Sequence, residues 1–372
     1  MPTTTDVVRA VDPRSAVEDA HGAPFGRALN TRVDAALEGA ALTAGFTRLH
    51  RKAVCVAAWY VASYILVVLA SGWFLGVIGC VSLALAMAAV GFNIQHDANH
   101  NAFFETSSKR LTSANRRMGW SMYALGASAE RWIDGHVLAH HSSTNIEGRD
   151  FDISLQPFAR LAPSQPRRAW HRLQHVYLWA LYAFTGAGII VADVIATGVE
   201  AFTGDRHGRR PGLKSWTSLL VTKVVFVAVM IGVPALMRPW WIVVLGAAGT
   251  LALVGILLGV VFQAAHVVVE AEFAHDDEPP TTRWHEWQTR STVNFAHGDG
   301  LVSRVLTWYV GGLNYQIEHH LFPRLPHTVY REISPVVEAT CRDHGVPYHV
   351  QPSIRRAIAS HYHHLRTLGR PD

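Results

Sequence analysis

Charge is scarce in this 372-residue chain: Asp, Glu, Lys and Arg together make up 16% of it, against roughly 25% in an ordinary soluble domain. Cysteine is scarcer. Cys55, Cys80 and Cys341 are its only thiols and no two are close in sequence, which excludes a disulfide scaffold, a zinc ribbon and a thiolate-held iron–sulfur centre and leaves them as packing or incidental residues. The N-terminal stretch has Pro2, Pro13 and Pro24 among mixed charges but no apolar run, so no cleavable signal peptide is read there. Collagen, coiled-coil and short solenoid repeats are missing too. What is abundant is apolar surface and imidazole: 49% hydrophobic residues, 12 Trp and 22 His, with a positive mean hydropathy of +0.14. Lipid is the implied environment, and histidine is the residue to explain.

From Ala53 to His96 there is no Asp, Glu, Lys or Arg, a length that as helix is about twice the hydrocarbon thickness of a bilayer. Two spans fit, near 53–70 and 74–94, broken at Ser71-Gly72-Trp73. A second apolar block predicts spans near 215–237 and 240–263, with Lys223 inside the first, placed to snorkel, and Pro234, Arg238 and Pro239 at the reversal. Arg48, Arg51 and Lys52 precede the first span and Arg206, Arg209, Arg210 and Lys214 the third, whereas the two turns carry only Arg238. By the positive-inside tendency both hairpins enter from and return to the cytoplasm. A further uncharged stretch, 173–192, is read as an interfacial helix, because one more crossing would put histidines of the middle and C-terminal regions on opposite sides. The expected fold is all-α and integral to the membrane, with four transmembrane helices in two hairpins and a helical cytosolic cap. Residues 1–50 read as a cytosolic N-terminal segment, 51–350 as the membrane domain, and 351–372 as a basic C-terminal tail.

Histidines cluster where these spans end. His96 and His100 in His96-Asp97-Ala98-Asn99-His100 share a helical face, as do His136 and His140, with His141 to one side. Gln316 is followed three and four residues on by His319 and His320, and His266 closes the fourth span. Eight imidazoles exceed what one metal uses but can surround two while leaving room for O2 or water, and a nitrogen-rich site without thiolates suits iron. Asp97, Asn99, Asp150, Asp152, Asn294 and Glu318 are placed to orient such ligands or to serve as ordinary polar groups. His297 reads as structural or solvent-facing, and His349, His361, His363 and His364 as surface residues.

The boxes, above all Asn314-Tyr315-Gln316-Ile317-Glu318-His319-His320-Leu321-Phe322-Pro323, resemble those of the membrane fatty-acid desaturase superfamily, and most closely its front-end or linoleoyl-CoA-like acyl desaturases. The resemblance covers about residues 50–350. It implies two iron ions held by His96, His100, His136, His140, His141, His266, His319 and His320, with Gln316 as a direct or water-mediated ligand. It also implies O2-dependent insertion of a cis double bond into a fatty acyl chain carried as a CoA thioester or on lipid. The oxidant would belong to the metals, with no protein acid or base in the catalytic role. A lipid hydroxylase is the alternative on the same scaffold, and a membrane metal transporter the alternative of another class. Arg131, Lys109 and Arg110 are candidates for contacting an acyl carrier's phosphates. No His-Pro-Gly-Gly motif of a fused cytochrome b5 occurs, so a separate donor is expected, a ferredoxin with its reductase or a free cytochrome b5. The expected location is an inner or plasma membrane, with active site and both termini cytosolic and with membrane lipid, not nucleic acid, as partner.

Overall fold

The computed structural model describes residues 24–204 and 210–371. Arg206 and Arg209 of the topology argument, and residues 1–23 of the N-terminal segment, lie outside the described residues. A short helix, α1 (Pro24–Ala36), precedes a long hairpin of α2 (Ala40–Leu69) and α3 (Trp73–Asn99). The chain reverses at Gly72, whose φ of 86° suits a residue without Cβ. Across the hairpin the Trp59 indole donates to Ser82 Oγ at 3.0 Å and Ser63 and Ser82 bond at 2.7 Å, small polar contacts of the kind that join apolar helices in lipid. Then follow α4 (Lys109–Gly119) and α5 (Ala129–Trp132), which continues as a π turn over Ile133–His140. Next come α6 (Gln174–Thr203), α7 (Leu213–Ala235) and α8 (Trp240–His266). The cap is completed by α9 (Trp284–Ser291), α10 (Leu301–Tyr309), α11 (Gln316–Leu321), α12 (Tyr330–Asp343) and α13 (Ile354–Leu368). Two short parallel pairings clip its loops together: β1 (Ile146–Glu147) with β2 (Ala274–His275), and β3 (Asn294–Phe295) with β4 (Val350–Gln351).

Five helices, α2, α3, α6, α7 and α8, are long and apolar enough to cross a membrane, where the sequence led us to expect four. The fifth is α6. The stretch 173–192 was bounded by counting charges, but the helix runs on to Thr203 because its acids find partners. Asp193 accepts from Lys223 Nζ and from the Ser128 amide, both at 2.7 Å, and Glu200 forms a two-pronged pair with Arg131 at 2.5 and 2.6 Å. Lys223 therefore does not snorkel; it also donates to Gly126 O at 2.6 Å. Arg131 is committed to Glu200 and Thr197 in the same way, which takes it from the phosphate contacts expected of it.

α6 packs on α8 at Gly186 and Gly255, where a Cβ on either residue would strike the backbone of the other helix. α13 lies against both, so the segment expected as a tail is a packed helix. Its amphipathic face carries two histidines inward, contrary to the surface roles expected for them. His361 donates through Nδ1 to Val267 O at 2.6 Å and accepts from Tyr182 OH at 2.7 Å, and His364 donates to Leu161 O at 3.1 Å. His363 is exposed and His349 partly so. The main core, including Met87, Phe92, Leu258 and Phe295, lies where α3 and α8 approach the cap. Large apolar side chains such as Val61, Phe184, Phe202, Leu220 and Leu245 point outward from the long helices, as lipid-facing surface requires. An apolar cavity of about 620 Å³ opens between the two hairpins near their turns, lined by Val77, Val81, Leu83 and Leu253.

Candidate metal centre

The histidine boxes owe their shape to departures from α-helical winding. Before the first box, Gly91–Gln95 forms a π turn in which the His96 amide bonds Gly91 O, five residues back. In the second box the His141 amide bonds His136 O in the same way, at 3.1 Å. The wider turn brings both the i+4 and i+5 residues onto one face, so His136, His140 and His141 all point inward where an α-helix would turn His141 aside. Such turns cost backbone geometry, and they sit where side chains have to converge.

Eight histidines meet beneath the cap, and each is buried. Ring nitrogens of His96, His100, His136 and His319 lie within 4.8 Å of one another, as do those of His140, His266 and His320. His141 stands with His319 and His320 in a third such group, its ring 4.2 Å from that of His320, and so joins the first two. The Nε2 atoms of all eight have no hydrogen-bond partner among the described residues, although buried polar atoms are nearly always bonded. Two nitrogen-lined sites with eight unsatisfied donors fit two metal ions of the imidazole-loving class. Gln316 belongs to the same pattern: it is fully buried and neither amide atom has a partner.

In four of the eight the opposite ring nitrogen is held, which sets the tautomer that keeps Nε2 available, whereas Nδ1 of His141 and of His266 has no partner among the described residues. His140 Nδ1–H donates to both oxygens of Asp150, at 3.0 and 2.9 Å, and His136 Nδ1–H donates to Asp152 at 3.2 Å. His319 donates to Tyr330 OH at 3.2 Å, and His320 to Gln288 Oε1 at 2.9 Å. Burial, reinforced by neighbouring imidazoles, holds His141, His319 and His320 far below the ordinary histidine range, and His136 falls to about 4 despite Asp152. These rings are neutral at physiological pH, the state in which imidazole binds metal. Burial also acts on His140, but the carboxylates of Asp150 and Asp152 outweigh it and raise the ring to about 9. Asp152 is itself held below the usual carboxylate range, since His140 and His136 overcome the cost of burying its charge.

The remaining polar candidates bond elsewhere. Asp97 lies 3.8 Å from His96 Nδ1, but its stronger contacts are to the amide and Nδ1–H of His327, at 3.1 and 2.8 Å. Lys52 Nζ donates to the other side of the His327 ring at 2.8 Å, making a buried chain Lys52–His327–Asp97 beside the first box. Asn99 bonds Gln95 and Gly119 O and braces the backbone of the first box. Glu318 accepts from Tyr348 OH at 2.6 Å and Asn294 Nδ2 at 2.8 Å, and Asn294 Oδ1 receives the Ile317 amide, so this trio fixes α11 and touches no imidazole. Burial raises the Glu318 carboxyl above its ordinary range. His297 is half-buried and stacks on Tyr315, away from the cluster.

Sequence reasoning missed Gln288, Tyr330, Lys52, His327 and Trp132. The ring of Trp132 lies 4.5 Å from that of His136 and 5.5 Å from those of His96 and His100, closing one side of the cluster. Only His327 left a trace, a proline-flanked histidine shortly after the third box. The others sit in segments whose relevance appears only when the chain folds.

Comparison with known proteins gives a family model described as fatty acid desaturase that matches residues 71–352. The chain is 33% identical over 350 residues to an sn-1 linoleoyl-lipid 6-desaturase of Arthrospira platensis, covering 93% of this chain and 92% of that protein. It is also 33% identical, over 355 residues, to the protein of the same description from Synechocystis sp., covering 93% and 96% of the two chains. An acyl-lipid (8-3)-desaturase of Physcomitrium patens is 31% identical over 86% of this chain and 66% of its own length.

Proposed function

The chain belongs to the membrane fatty-acid desaturase family, an enzyme of O2-dependent, di-iron fatty-acyl desaturation, and from that premise we propose that it introduces a cis double bond into an acyl chain carried on membrane lipid. The observation that carries the reading is the convergence of eight buried histidines with unsatisfied Nε2 atoms. His96, His100, His136 and His319 would hold one iron, and His140, His266 and His320 the other, with His141 between them and Gln316 as a direct or water-mediated ligand. Bound iron supplies the oxidising power, with O2, for breaking two unactivated C–H bonds. The chain's part is positional: Asp150, Asp152, Tyr330 and Gln288 fix the imidazoles, and Trp132 walls the site. Lipid linkage follows the relatives, whose descriptions name linoleoyl-lipid and acyl-lipid substrates. We assign residues 51–350 to the catalytic domain, flanked by segments 1–50 and 351–372. Purified protein loaded with ferrous iron, reduced anaerobically with dithionite, freed of the excess and then given O2 and a lipid-linked linoleoyl chain is expected to yield in a single turnover a trienoyl chain lacking two further hydrogens, its new double bond located by mass spectrometry. A hydroxylated product with no new double bond would sink this reading in favour of hydroxylation.

The same premise bears on topology. Three long apolar helices separate His141 from His266, yet these rings belong to one cluster through His140, 4.7 Å from His266. An even number of crossings is required, and α6 is the helix with both ends tied to the cap. Gln174 bonds Arg160 and Leu365 O at its start, and Glu200 bonds Arg131 near its end. α6 thus lies in the cytosolic interface, with the metal centre on that side. In a variant lacking native cysteines, a membrane-impermeant maleimide should reach Phe202→Cys and Lys109→Cys from the same side and Leu236→Cys from the other. Labelling of Phe202→Cys from the side opposite to Lys109→Cys would make α6 a crossing helix.

A further inference from the structure

The desaturase reading leaves an electron deficit that some other molecule has to fill. Converting CH2–CH2 to CH=CH yields two electrons and two protons, while reduction of O2 to two waters takes four of each. Two electrons and two protons must arrive from outside in every turnover. We propose that the outward face of α4 is the docking surface for a small, acidic, one-electron carrier protein, an inference that rests on the desaturase reading above.

α4 carries Lys109, Arg110, Arg116 and Arg117, all exposed, and no acidic residue. None of the four side chains has an ion pair or hydrogen bond among the described residues. Several exposed arginines elsewhere on the cap are paired, Arg48 with Glu332, Arg32 with Asp343, Arg149 with Asp276 and Arg331 with Asp299, and unpaired ones such as Arg355 and Arg356 on α13 do not form so dense a group. Four unmatched cations within three turns make a field that steers an acidic partner and raises its rate of encounter. Directly after them Trp120 is 48% exposed, an aromatic anchor of the kind that interfaces use.

Place as well as charge favours electron delivery. Gly119 packs against the side chain of Asn99, whose Nδ2 lies 3.4 Å from Gly119 O, and Asn99 stands between the ligands His96 and His100. The side chain of Asn115 bonds the amides of Phe103 and Phe104, at 3.1 and 2.8 Å, and Phe104 O, fastening α4 to the loop that leaves the first box. A carrier seated on Arg116 and Arg117 thus has a short covalent and hydrogen-bonded path to one iron site. A helix that binds lipid headgroups by insertion needs a broad apolar face directed at the bilayer. On α4 that role is unfilled, since Met118 packs into the main core and Thr112 and Ser113 lie among the exposed cations.

The test uses iron-loaded, full-length protein in nanodiscs of zwitterionic lipid, with electrons supplied either by anaerobic pre-reduction with dithionite, removed before O2 is admitted, or by an acidic [2Fe–2S] ferredoxin or cytochrome b5 with its reductase. For the unmodified protein the KM for carrier should rise with ionic strength. Arg116→Glu/Arg117→Glu should raise that KM by about tenfold or more at low salt, flatten its salt dependence, and leave iron content and dithionite-driven product unchanged. The charge-neutral pair Arg116→Gln/Arg117→Gln should fall between. Unchanged KM and salt dependence for both carriers would overturn the proposal. So would a variant whose sole change is weaker binding to vesicles containing phosphatidylglycerol, which would make α4 a lipid contact. Absence of dithionite-driven product from the unmodified protein would overturn the desaturase reading and this role with it.

Discussion

Replacing His319 by alanine should abolish lipid desaturation while leaving the protein in the membrane. His319 is the one residue common to the group containing His96, His100 and His136 and the group containing His141 and His320. Its ring lies 4.5 Å from that of His96, 4.9 Å from His100 and 4.6 Å from His141. Its loss removes a nitrogen from one site and weakens the wall of the other. Altering a group that only orients a ligand typically costs 10–100-fold in affinity or activity, so deleting a ligand should cost at least about 100-fold. Folding should survive, because the cavity left behind is lined by polar rings and α11 remains tied by Asn294 and Glu318. Two measurements decide the matter: iron per protein in the purified variant, and new double bonds in lipids of cells expressing it. Undiminished product would defeat the metal assignment, and iron lost along with membrane insertion would show a structural role instead.

Asp150→Asn should reduce turnover by about 10–100-fold through tautomer control, with no ligand removed. Asp150 is buried and accepts four hydrogen bonds, two from His140 Nδ1–H and one each from the amides of Asn145 and Asp152. An amide in its place keeps one accepting oxygen for the backbone but presents an NH2 group toward His140. The imidazole then accepts at Nδ1 and carries its proton on Nε2, the atom that faces the metal. Iron at the His140, His266 and His320 site should bind more weakly, and the deficit should shrink at high ferrous iron. Glu318→Gln is the contrasting case: Glu318 bonds Tyr348 and Asn294 and no imidazole, so its effect on iron affinity should be several-fold smaller. Equal losses in the two variants would show that Asp150 acts through general packing of the cap.

Much of the site could be read from spacing. His96 and His100, and His136 and His140, stand one helical turn apart, and uncharged runs showed that the boxes lie at the ends of membrane-length helices. Pairing between distant residues left no comparable trace. Gln288 lies on α9 and Tyr330 opens α12, and neither stands in a motif, yet they hold the rings of His320 and His319. The full length of the fifth long helix, read from the sequence only over 173–192, was hidden for a related reason: Asp193 and Glu200 look like stops until Lys223 and Arg131, from other parts of the chain, neutralise them. A charge count treats each residue as alone, whereas burial in a folded protein depends on what it meets.

By itself the sequence determined the apolar hairpins, the scarcity of thiols and which histidines stand at the helix ends, because hydropathy, length and helical periodicity are local properties. Only the tertiary structure decided which imidazoles share a site and which nitrogen of each faces it. It also turned His141 inward, through a π turn that no residue pattern announces, and brought His327 and Lys52 together beside Asp97. The reason is physical: a metal centre is an agreement among side chains far apart in the chain, and its geometry exists only when packing brings them within a few ångströms.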